Sequence, residues 1–141
     1  MHFETYGLFV GLALCLFVAA SAAGKRHLGS GPVLVACLVA VAATTLVPLH
    51  GSEGLELRPG QSPLGGDLAN LLLFAPLGGV LSLRRWSAAR AIGAAFALSV
   101  AIELTQRVIP GRTTSTDDVI FNTLGAALGW LLARLLSRFT E

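Results

Sequence analysis

With 141 residues, 54% of them hydrophobic and only 13% charged, the chain lies far from the roughly 25% charged residues of an ordinary soluble domain. The length allows one domain, better counted in membrane spans of about 20 apolar residues each. The net charge of +2 is small, and the basic residues sit at the ends of apolar runs as topology anchors, which argues against nucleic-acid binding.

The first apolar run is residues 6–23. Its end, Ala20-Ser21-Ala22, resembles a signal-peptide cleavage site, but the leader has no basic residue and Lys25 and Arg26 follow the run. That order predicts a retained helix with its N-terminus outside, cleavage being the alternative. The second run, residues 31–49, is rich in Val and Ala and closes at Pro48. Cys15 and Cys37 lie mid-run and are expected to be small buried hydrophobes. His2, His27 and His50 flank apolar runs without ligand-like spacing and read as interfacial. A Gly- and Pro-rich surface loop is expected from His50 to Gly66.

The third run, residues 67–83, contains Pro76 and predicts a kink near Leu72 to Pro76. Arg84, Arg85 and Trp86 end it. The fourth run is residues 91–109, stopped by Pro110-Gly111, and the fifth is residues 118–136. The expected fold is therefore all-α: a single transmembrane bundle of five spans, N-terminus out and C-terminus in. The inner side then collects Lys25, Arg26, Arg84, Arg85, Arg90, Arg134 and Arg138. The outer side collects Arg58, Arg107 and Arg112, so the ten basic residues divide seven to three, as the positive-inside rule requires.

This topology brings polar residues to the outer ends of three helices. Asp67 and Asn70 share a face of the third, Glu103 and Gln106 a face of the fourth, and Asp118 and Asn122 a face of the fifth. Glu103 lies about 9 Å below the end of its span, and Asn70 and Asn122 about 5–6 Å deep. Polar groups at that depth cannot face hydrocarbon cheaply, so they imply a shared polar or wet cleft. Structural roles compete at each position. Asp67, Asp117 and Asp118 stand at helix N-termini, where Ser115-Thr116-Asp117-Asp118 resembles a capping box, and capping alone is the better reading of Asp117. Asn70 and Asn122 suit interhelical hydrogen bonds, and Gly125-x-x-x-Gly129 suits close packing within the monomer. Glu103 and Arg107 have the spacing of an ion pair. Arg112, in the short outer loop, suits a phosphate or carboxylate, with a salt bridge to Asp117 or Asp118 competing.

Two blocks resemble the VanZ-like family of small bacterial membrane proteins. One is Asp67-x-x-Asn70-x-x-x-Phe74-x-Pro76-x-Gly78. The other is Glu103-x-x-Gln106, Pro110-x-Arg112, Asp118, Asn122 and Gly125-x-x-x-Gly129. The resemblance covers roughly Pro48 to Leu132. It implies an integral protein of the bacterial cytoplasmic membrane, in a family whose named member is associated with low-level teicoplanin resistance. It implies no particular reaction.

The expected function is binding, with membrane lipid around the protein and a lipid-linked wall precursor or lipoglycopeptide in the outer cleft. Arg112 would take an anion, Asn70, Gln106 and Asn122 would orient the ligand, and Asp67, Glu103 and Asp118 would set the charge. Pro76, Gly78, Gly125 and Gly129 are expected at helix contacts. No cofactor and no metal are expected. An intramembrane enzyme using the carboxylates as a base or divalent-cation site is the alternative, although there is no nearby histidine, no G-x-S-x-G and no phosphate-binding glycine loop. Small-solute transport by an oligomer is a further alternative.

Overall fold

The structure, a computed structural model, describes residues 12–18, 30–46, 63–109 and 114–139. The expected 50–66 loop, apart from the start of α3, and the Pro110-Gly111-Arg112 turn lie outside these residues. All five described elements are helices: α1 (residues 12–18), α2 (Ser30–Leu46), α3 (Pro63–Leu83), α4 (Ala88–Gln106) and α5 (Thr116–Phe139).

The helix limits follow local chemistry. Helix α3 begins at Pro63, ahead of the expected Asp67, because proline suits the first helical position, where its missing N–H costs nothing. It ends in a Schellman motif: the Trp86 N–H donates to the Leu81 carbonyl at 3.1 Å and the Arg85 N–H to the Ser82 carbonyl at 2.9 Å. That motif places Arg85 in the left-handed region, φ 61°. Ser87 then caps α4, its hydroxyl accepting from the Arg90 N–H, so α4 starts before the expected residue 91. Past Gln106, the Arg107 N–H still reaches the Glu103 carbonyl, but the Val108 and Ile109 N–H groups turn to carbonyls three residues back, and the helix ends.

Pro76 lies inside α3 and is fully buried. It has no N–H to return to the Leu72 carbonyl one turn earlier. The Cys15 thiol of α1 reaches that carbonyl at 3.7 Å, supplying the weak donor that the proline removed.

Helix α3 is the centre of the bundle: every residue from Leu73 to Ser82 is buried. Its closest neighbour is α5. A Cβ added at Gly125 would collide with the Leu71 carbonyl, one at Gly129 with the Ala75 carbonyl, and one at Gly78 with the Ala126 carbonyl. Only glycine permits this approach of backbone to backbone. Residue numbers rise together along the α3–α5 contact, so the two helices run parallel. Cys15 meets Leu72 and Val18 meets Gly79, so α1 runs with them. The Gln106 amide donates to the Thr45 carbonyl at 2.8 Å, which puts the C-terminal ends of α2 and α4 together, against the N-terminal ends of α3 and α5. Direction thus alternates along the chain.

The bundle is apolar outside, and a few polar side chains are buried beside its apolar core. Large hydrophobic side chains such as Val39, Phe96, Leu104, Leu128, Leu131 and Leu132 are exposed, whereas Ser99, Glu103, Gln106 and Asn122 are buried. Among the described residues, α4 and α5 are each long and apolar enough to cross a membrane, while α2 and the Asp67–Leu83 part of α3 are shorter apolar helices.

Candidate functional site

The polar residues gather where α3 and α5 begin and α4 ends. Two antiparallel rungs join α4 to α5. Deeper in, the Asn122 amide donates to the Ser99 hydroxyl at 2.8 Å. One turn toward the helix ends, the Glu103 and Asp118 carboxyls lie beside each other. Below both rungs, small side chains, Ala91, Ala95 and Ala126, fill the interior.

Glu103 also accepts the Ser115 N–H at 2.9 Å. In an ordinary capping box that N–H would receive the side chain of the third helical residue, here Asp118. Helix α4 supplies the acceptor instead, and Asp118 is turned toward its neighbours. The cap itself is Ser115, whose hydroxyl accepts the Asp117 N–H at 3.2 Å. This corrects the expectation for Asp117, which is exposed and sits in the first turn beside the positive end of the helix dipole.

Helix α3 closes the group. The Asn70 side chain hydrogen-bonds Asp118, and the Asp67 charge acts on the same carboxyl. Asp67, Asn70 and Asp118 are half-buried, whereas Glu103 and Asn122 are buried. The α3–α5 glycine contacts bring Asn70 within reach of Asp118. Arg107 is exposed, and its charge acts on Glu103.

Of the residues expected in a cleft, Asp67, Asn70, Glu103 and Asp118 therefore meet at one place, with Asn122 beneath them. Gln106 is turned to α2, where it bonds the Thr45 carbonyl. Arg112 lies outside the described residues. Two residues with clear roles were not anticipated. Ser99 lies one turn before Glu103 on the same stripe of α4, and that i, i+4 spacing was the available signal. Ser115 was read only as part of a cap, and nothing in the sequence marks its N–H as a target of Glu103.

Among the described residues, two buried amide oxygens, Gln106 Oε1 and Asn122 Oδ1, have no hydrogen-bond partner. Each such group costs about 1–3 kcal/mol. Among the described residues, no three His, Cys, Asp or Glu side chains are grouped so that they could hold a metal ion.

A family model described as VanZ/LLP1 matches residues 3–137, nearly the whole chain. No curated protein and no solved structure matches it.

Proposed function

The chain belongs to the VanZ-like family, and from that premise we propose that it is a five-span protein of the bacterial cytoplasmic membrane, N-terminus out. Its outer mouth would bind the head group of a lipid-linked wall precursor or lipoglycopeptide. The apolar exterior and the lengths of α4 and α5 support the membrane setting. Arg84, Arg85, Arg90, Arg134 and Arg138 all fall at the bundle end opposite the carboxyls, which supports an outward mouth.

The observation that carries the binding reading is the meeting of Asp118 with Asn70 and Glu103 at the ends of three helices. Such groups are costly in hydrocarbon and are retained where they have work to do. Asp67, Asn70 and Asp118 meet the ligand, Glu103 holds Asp118 and the start of α5 in place, and Arg112 takes an anionic group. Gln106 and Asn122 hold the helices at the depth where the mouth forms. The test is binding of labelled precursor or teicoplanin to protein in nanodiscs. Arg112→Ala and Asn70→Ala are each expected to weaken binding about ten-fold, the effect of losing one charged or polar anchor. Equal affinity in wild type and both variants would sink the assignment.

The neighbouring Glu103 and Asp118 carboxyls favour one second reading, acid–base chemistry on an envelope lipid. Turnover of such a lipid, abolished in Glu103→Gln while binding persists, would select it over binding alone.

A further inference from the structure

Among the described residues, the mouth is rich in acceptors. Asp67 and Asp118 present carboxyl oxygens at its rim, and Glu103 stands behind them. Among the described residues, the Ser115 N–H is engaged by Glu103, and the Ser99 hydroxyl oxygen accepts from the Asn122 amide. A second, independent observation points the same way. Asn122, 97% buried by its 3% exposure, faces α4 beneath the carboxyl pair, and its Oδ1 has no partner among the described residues. Gln106 lies three residues past Glu103, is also buried, and has an Oε1 in the same state. What is unmatched at this end of the bundle is thus acceptor, on both α4 and α5.

A compact metal ion would require oxygens converging on one point at 2.0–2.6 Å, and these groups are not so placed. A protonated amine has different needs. It carries a positive charge and three N–H donors that reach acceptors spread over several ångströms.

Resting on the same mouth as the binding reading, we infer that this is a recognition site for a primary ammonium group, held by Asp118 and Asp67 with the amide oxygens of Asn70 and Asn122 as further acceptors. The ammonium belongs to an amphiphile entering from the outer leaflet. It is either a lipid head group or an amine on a wall precursor, and the two share this chemistry.

The test uses full-length protein in phosphatidylcholine nanodiscs with 15N-labelled asparagine. Asn70 and Asn122 are the chain's only asparagines, so two side-chain amides report on the site. The probes are dodecylammonium and dodecyltrimethylammonium, which have the same charge and tail but differ in having N–H donors. Dodecylammonium is expected to shift both amides saturably and to bind at least ten-fold more tightly than the trimethyl probe. Asp67→Ala, at the half-buried rim, is expected to lose that preference, and Asp118→Ala likewise. Asp117→Ala, exposed and outside the mouth, is expected to change affinity less than two-fold. Equal response to both probes, no saturable response, or equal loss in Asp117→Ala and Asp67→Ala would overturn the inference. If phosphatidylethanolamine in the nanodisc competes the probe away, the occupant is a lipid head group. If only an amine-bearing precursor competes, it is the precursor. Precursor binding that survives without any ammonium preference defeats this inference alone and leaves the binding reading standing.

Discussion

Helix α5 meets its two neighbours in different ways. Toward α3 it presents Gly125 and Gly129, and the contact is backbone against backbone. Toward α4 it presents Asp118 and Asn122, and the contact is a ladder of polar side chains, Asn122 bonded to Ser99 and Asp118 beside Glu103. The first face sets distance and tolerates no added atom. The second carries titratable and polar groups that serve the mouth. Membrane helices lack a hydrophobic drive to associate, so close packing supplies most of the cohesion and polar bonds supply less. The glycine face should therefore dominate stability and the ladder should dominate function.

Breaking the glycine face should give the largest effect. Gly129→Leu drives a side chain into the Ala75 carbonyl and is expected to cost about 3 kcal/mol or more, read as loss of a monodisperse species in detergent. On the ladder, Glu103→Ala removes the acceptor of the Ser115 N–H and the partner of Asp118. It should cost about 1–3 kcal/mol in reversible unfolding in detergent. Glu103→Gln sharpens the point: its amide oxygen can still accept from Ser115 and its NH2 can donate to Asp118, so stability should stay within about 0.5 kcal/mol of wild type. Asn122→Ala loses the bond to Ser99 but also an unpartnered oxygen, and should cost about 0.6–1.7 kcal/mol. Asp117→Asn touches only the helix dipole and should cost about 0.5 kcal/mol or less. A ladder variant more damaging than Gly129→Leu would reverse the comparison.

Much of this was legible in the sequence because lipid makes polar residues conspicuous. Six of the expected site residues stood out as Asp, Glu, Asn or Gln in apolar runs, and helical spacing placed them in pairs on a face. Spacing within one helix cannot say which neighbour a face meets. That is why Gln106 was grouped with the cleft although it serves α2, and why Ser99, a small polar residue common in helices, went unremarked. Asp117 was assigned the cap from a local pattern, whereas the cap is Ser115 and the reciprocal acceptor comes from another helix. Pro76 was visible as a disturbance of α3. Its match to Cys15 was not, because the freed carbonyl and the thiol are 57 residues apart.

The central claim is an outward-opening polar mouth at the start of α5, and cysteine accessibility in intact cells tests it most directly. Single cysteines are placed by Asp117→Cys, Asp118→Cys and Ser87→Cys, with Cys15 and Cys37 replaced by alanine, and treated with a membrane-impermeant maleimide. Labelling at 117 and 118 from outside, with 87 labelled only after permeabilisation, is the expected result. Labelling of 87 in intact cells with 117 protected would contradict the orientation, and a protected 118 beside a labelled 117 would contradict the open mouth.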